Sequence, residues 1–230
     1  MGVEFLILGD SHVQVFSHAN HFQEDVNFEV VTVHGASAQG AINPNNSTDS
    51  VKIFSEKLDE IRQNGEEYDF VGVMLGEVDC GFIIWHLFEE HGIPIDYQLK
   101  NSVKALFSFI SSDVERDFPS DRIFVFGSAL PTITDGEDVR VPNRGDVSAS
   151  QLERTELTQR YNAKLRDICQ ERNYRFVEIT DHTLNQETKV VDEFFRWPTP
   201  GNHHLDNRKT WKLWFNKIAE NIGIDPIIDQ

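Results

Sequence analysis

Cysteine is nearly absent: Cys80 and Cys169 are the only two among 230 residues. Two thiols cannot staple a chain of this length and their spacing matches no zinc module, so they read as free thiols of a reducing compartment. Cations are scarce as well, with 21 Lys and Arg against 38 Asp and Glu and a formal net charge of −17. Such a surface repels phosphate backbones and anionic bilayers, which removes nucleic acid and membrane from the expected partners. No apolar run approaches the roughly 20 residues that span a bilayer. The first apolar run, residues 5–8, is too short for a secretory leader and is bracketed by Glu4 and Gly9-Asp10, so the expected location is cytoplasmic. Glycine-rich phosphate fingerprints are missing too, because residues 35–40 lack both the P-loop lysine and the dinucleotide spacing. Without repeats, linkers or low-complexity stretches, residues 1–230 read as a single domain, and 39% hydrophobic residues suffice to fill its core.

What the sequence does contain is an alternation of short β-rich runs with longer amphipathic ones, the pattern of an α/β sandwich around a mostly parallel sheet. Strands are predicted at 3–8, 28–33, 70–75, 122–126 and 175–179, and helices at 11–20, 48–64, 97–117, 148–172 and 207–221. Leu152, Leu157, Tyr161, Leu165 and Ile168 recur at helical spacing and read as core. Two long loops, 129–147 and 180–203, exceed what packing requires. In an open parallel sheet the ligand sits beyond the carboxyl ends of the strands, which selects Ser11, Gly35, Asp79 and the loop that ends at His204.

Strand one runs directly into Gly9-Asp10-Ser11-His12, where a glycine permits a tight exit and the serine hydroxyl reaches the sheet edge. The plain alternative is that Ser11 only caps the next helix. Three further segments bear on the choice: Gly35 after the second strand, Gly76-Glu77-Val78-Asp79 after the third, and Pro200-Gly201-Asn202-His203-His204-Leu205-Asp206 before the last helix. In this order the segments resemble the blocks of the SGNH, or GDSL-like, hydrolase superfamily, from about residue 3 to about residue 222.

That resemblance implies a three-layer α/β/α sandwich with a five-stranded parallel, flavodoxin-like sheet. It implies a serine esterase or deacylase in which Ser11 is the nucleophile, His204 the general base, and the N–H groups of Ser11 and Gly35 hold the oxyanion. It also exposes two departures. Val78 stands where the family has an oxyanion-donating Asn, and an isopropyl group donates nothing. Gly201 stands where the family has the Asp that orients the base, leaving Asp206, Asp192, Glu193, a backbone carbonyl or nothing for that role.

Around this core, His12, Asp79, Trp197 and His203 are candidate substrate-binding residues, and Trp85, Phe194 and Phe195 could line an acyl or sugar pocket. Arg140 and Arg144 could meet a substrate carboxylate. The histidines lack the spacing of a metal site, and no metal or cofactor is expected. The expected partner is a small-molecule or carbohydrate ester, O-acetyl sugars foremost. A non-catalytic glycan- or protein-binding domain and an O-acyltransferase are the alternatives.

Overall fold

The computed structural model describes residues 2–43, 45–137 and 147–228. Arg140 and Arg144 lie outside them. Strands β1 (Val3–Gly9), β2 (Val26–Thr32), β3 (Phe70–Met74), β4 (Ile123–Phe126) and β5 (Arg175–Val177) form one all-parallel sheet in the order β2-β1-β3-β4-β5. Parallel pairing explains why the inner strands β1, β3 and β4 read as nearly continuous apolar runs, since both of their faces are covered, while the edge strands β2 and β5 carry Asn27, Glu29 and Arg175. In β1, Phe5, Leu6, Ile7 and Leu8 are all fully buried.

The period of two then sorts the core into two chemically different layers. Phe5, Ile7, Phe124 and Phe126 point toward α1 (Gln14–Ala19) and, late in the chain, a helix at Asn207–Ile222, meeting Phe16, Trp214 and Phe215. The ring of Phe5 lies 5.0 to 5.7 Å from those of Phe28, Phe70 and Phe124. Leu6, Leu8, Val71, Val73, Ile123 and Val125 point the other way, against α2 (Ser50–Asn64) and the helices at Ile95–Ser112 and Gln151–Arg172. Full burial of one such side chain contributes about 1.5–3 kcal/mol, so truncating Phe5, which sits in the middle of the aromatic layer, would cost about 3–5 kcal/mol.

Helix boundaries depart from the sequence reading where local chemistry intervenes. The predicted helix at 11–20 is a 3₁₀ turn, Ser11–Val13, followed by α1. A helix not anticipated, α3 (Ile84–His91), is entered through a π turn at Asp79–Ile83. There Trp85 is buried, its indole N–H donating to the Cys80 carbonyl at 2.8 Å, so it belongs to the core and not to a substrate pocket. Next come α4 (Ile95–Ser112) and α5 (Gln151–Arg172), the latter starting three residues later than predicted because Ser150 and Glu153 form a reciprocal capping box. Leu152 is consequently in the exposed first turn, while Leu157, Tyr161 and Leu165 are buried. The long loop after β5 is structured: α6 (Thr180–Thr183), a Leu184–Val191 bridge, a 3₁₀ turn at Glu193–Phe195 and an Arg196–Leu205 bridge precede α7 (Asn207–Ile222). Among the described residues no helix is long and apolar enough to cross a membrane.

Because β1 lies between β2 and β3, the chain leaves it first to one side and later to the other, and the carboxyl ends of β1 and β3 form the switch-point crevice. Gly9 makes the exit possible: a Cβ there would lie 2.4 Å from both the Met74 carbonyl oxygen and Val13 Cγ1. The chain turns out of the sheet immediately beyond it and delivers Ser11 to the crevice.

Candidate active site

Asp10, and not Ser11, caps the 3₁₀ turn, its Oδ1 accepting the His12 N–H at 2.9 Å. The Ser11 hydroxyl is thereby available to another partner, and that partner is His204 Nε2, at 2.7 Å. The imidazole is steered from its other side by Asn202 Oδ1, which lies 2.9 Å from Nδ1 and also accepts the backbone N–H of His204 at 2.9 Å. A backbone N–H can only donate, so it fixes which end of the amide faces the ring. Nδ1 then carries the proton, and Nε2 is left as the acceptor for the Ser11 hydroxyl, the tautomer a general base requires.

The expectation that Asp206 or Asp192 orients His204 is corrected by this geometry. Asp206 is buried at the start of α7 as its N-cap, accepting from the Arg208 N–H at 3.0 Å and from the Arg208 guanidinium at 2.9 and 2.6 Å. The Arg208 hydrogen bonds hold its carboxyl below the usual carboxylate range in spite of burial. Asp192 caps the Glu193–Phe195 turn through Phe194 N–H at 2.9 Å and accepts from Asn185 at 3.0 Å. Both carboxylates shape the loop that carries the histidine. Asn202 was missed although its signal was present, an Asx two residues before the histidine, where an Asx turn presents Oδ1 to the backbone and ring together.

The histidine loop is pinned at several points. Thr132 Oγ donates to the Asn202 carbonyl at 3.1 Å, and the Gly201 N–H donates to Glu137 Oε1 at 2.6 Å. Glu137 also meets Arg196 Nη2 at 2.8 Å. Burial works to raise its proton affinity, but the donors of Gly201 and Thr134 and the Arg196 charge outweigh it and keep the carboxyl below its usual range. The position where a family Asp was expected is thus a backbone donor held by an acid from another loop.

Asp79, a candidate substrate contact, is fully buried and turned inward. It accepts the N–H groups of Ala38 at 2.6 Å and Gln39 at 3.1 Å and the Ser102 hydroxyl at 2.9 Å, tying the loop after β2 to α4. Burial raises its proton affinity, and Asp10 adds to the rise. That loop contains Gly35, whose φ of +74° is what demands glycine; a Cβ there would meet nothing nearer than Thr48 Cγ2 at 3.7 Å. Val78, at the family's Asn position, is buried.

Of the remaining candidates, Trp197 is half-buried under the Arg208 guanidinium, 5.5 Å from its ring, and the exposed Phe194 lies under Lys209. The His203 ring lies 3.9 Å from that of His204, centroid to centroid, with the planes tilted by 41°. His12 is buried, with Nδ1 3.1 Å from Asp10 Oδ1 and Nε2 3.3 Å from the His203 carbonyl oxygen. Its ring nitrogens face protein oxygens, which corrects the expectation that they bind substrate. Among the described residues no group of three or more His, Cys, Asp or Glu is arranged to hold a metal ion. The 630 Å³ groove between α4 and α5 shares no residue with this site.

A five-stranded parallel sheet of this order, with a serine–histidine couple at its switch point, has the fold of the SGNH-like, or GDSL-like, hydrolases. Solved structures carry that comparison. A Bacteroides fragilis protein described as an acylhydrolase is 14% identical, with 96% of this chain and 86% of that one covered at a TM-score of 0.60. A GDSL-like lipase from Bacteroides thetaiotaomicron is 13% identical over 95% and 88% of the two chains, with a TM-score of 0.58. A carbohydrate acetylesterase family member from Sinorhizobium meliloti is 15% identical over 96% and 100%, also at 0.58. No family model matches the sequence, and no curated protein matches it. At such identities the likeness is one of fold.

Proposed function

We propose that the chain is a serine esterase acting on small acyl esters, carbohydrate O-acetyl esters being the favoured class. The observation that carries the reading is the 2.7 Å contact between Ser11 Oγ and His204 Nε2, with the opposite nitrogen committed to Asn202. Ser11 Oγ attacks the ester carbonyl while His204 takes its proton. The same proton then passes to the leaving alcohol, and water, activated by His204, releases the acid from the acyl-serine. The N–H groups of Ser11 and Gly35 are assigned to the oxyanion. With Val78 in place of an Asn donor, turnover is expected to be slow, by about 10² to 10³ if no other donor substitutes. The sugar-ester preference draws on the acetylesterase among the fold neighbours and on the partly exposed Trp197 and Phe194 near the histidine loop.

Val78 also motivates a second reading, a binding domain that has lost catalysis. One experiment separates them: incubation with a fluorophosphonate and with a short-chain aryl ester, for the parent chain and for Ser11→Ala. Labelling and turnover confined to the parent support the esterase. Inertness of both proteins would put the binding domain first.

A further inference from the structure

The histidine beside the serine has a hydrogen-bonding environment that a neutral ring cannot satisfy. His12 Nδ1 faces Asp10 Oδ1 at 3.1 Å and Nε2 faces the His203 carbonyl oxygen at 3.3 Å. A carbonyl only accepts, and so does an ionised carboxylate, so an imidazole with a single N–H would turn a lone pair on one of them. Asp10 is itself buried and already accepts the His12 backbone N–H, and a buried carboxylate needs a countercharge close by.

We propose that His12 is held doubly protonated and is a positioning residue, a charged clasp joining the turn that carries Ser11 to the loop that carries His204. The inference rests on reading Ser11 and His204 as the reacting pair. His12 adjoins the serine in sequence, and the carbonyl it grips belongs to the residue before His204, 191 positions away. Its ring lies 4.7 Å from that of His204, centroid to centroid. The two contacts of the clasp can be made together only while the second proton is present. The site therefore works when His204 is neutral and His12 is charged, two histidines in opposite states. Reactivity rises with pH as His204 loses its proton and falls again as His12 loses its own. Charged or titratable groups facing His12 include Asp10, just beyond β1, and His203 and His204 from the loop before α7. The other walls of the small pocket beside the ring, from α1, β3 and α7, are uncharged.

The test is a ¹⁵N NMR titration of the parent protein's imidazole nitrogens, with His12→Gln used to assign the His12 signals. The expected result at about pH 7 is a doubly protonated His12 beside a neutral His204; a neutral His12 at that pH would overturn the clasp. In parallel, the rate of fluorophosphonate labelling is followed against pH. The parent should show a falling alkaline limb, and His12→Gln, whose amide cannot titrate, should react about 10²-fold more slowly without that limb. A His12→Gln protein that keeps the parental limb would also overturn it. Should that variant fail to fold, the parent titration decides, with assignment through the Asp10 and His203 proximities. A parent that labels no better than Ser11→Ala sinks the esterase reading alone, because the protonation state of His12 is read without any reaction.

Discussion

Asp10-Ser11-His12 and Asn202-His203-His204 are two Asx-x-His triplets that fold alike and end in different chemistry. In each, the Asx Oδ1 accepts the histidine backbone N–H at 2.9 Å and faces its Nδ1, at 3.1 Å for Asp10 and 2.9 Å for Asn202. The difference lies at Nε2. His204 meets a hydroxyl that can donate, which suits the neutral base proposed for it; His12 meets a carbonyl that can only accept, which suits the second proton proposed for it. Local spacing thus sets one nitrogen of each ring, and a partner from a distant part of the chain sets the other and with it the charge. The contrast extends to the acceptor: a carboxylate sits beside His12, while His204, the proposed base, has an amide dipole at Nδ1, able to fix its tautomer as a carboxylate would.

The comparison is broken most completely by removing its reactive end. His204→Ala should lower aryl-ester kcat by about 10⁴-fold or more, as should Ser11→Ala, in steady-state assays. Next in size is Asn202→Ala, which removes the acceptor for both Nδ1 and the backbone N–H; kcat should fall by about 10²-fold with KM little changed, since ring orientation matters chiefly in the transition state. Asn202→Asp sharpens the comparison by making the triplets identical in their acceptors. A carboxylate beside His204 favours its imidazolium, so the acid limb of the kcat/KM profile should move to higher pH by about one unit or more.

The smallest effect on chemistry is expected at Asp206. Asp206→Ala should leave kcat per folded molecule unchanged while lowering stability by about 1–2 kcal/mol through loss of the α7 cap, measured by denaturant unfolding. Its folded-state proton affinity lies below the ordinary value, Arg208 being the main cause, so its ionic contribution is full above about pH 4. That contribution is lost as pH falls through the lower folded-state value, and the gap between parent and variant should narrow in acid. A fall in kcat to match that of Asn202→Ala would instead make Asp206 part of the catalytic machinery.

How far the sequence could be read varies by element. The inner strands were visible because burial on both faces leaves nearly unbroken apolar runs, and the Ser11 turn was visible because Gly9 ends such a run where only glycine fits. α3 was invisible for a converse reason: a π turn at Asp79–Ile83 inserts a residue and shifts the apolar face, so no constant helical period runs through residues 79–91. Asp79 was placed correctly beyond the end of β3, yet a strand-end position does not say which way a side chain turns. Three donors from the β2 loop and α4 turn it inward.

The acceptor for His204 shows the same limit. A carboxylate suits that position by its charge, whereas Asn202 occupies it by proximity, with Thr132 and Glu137 fixing the loop from other segments. By itself the sequence determined the parallel sheet, the order of its segments and the two Asx-x-His triplets, because hydrophobic period and short-range turns act over a few residues. Only the tertiary structure decided what each imidazole does. Hydrogen bonds act over about 3 Å, and the atoms that meet Nε2 of His12 and of His204 come from loops 191 and 193 residues distant in the chain.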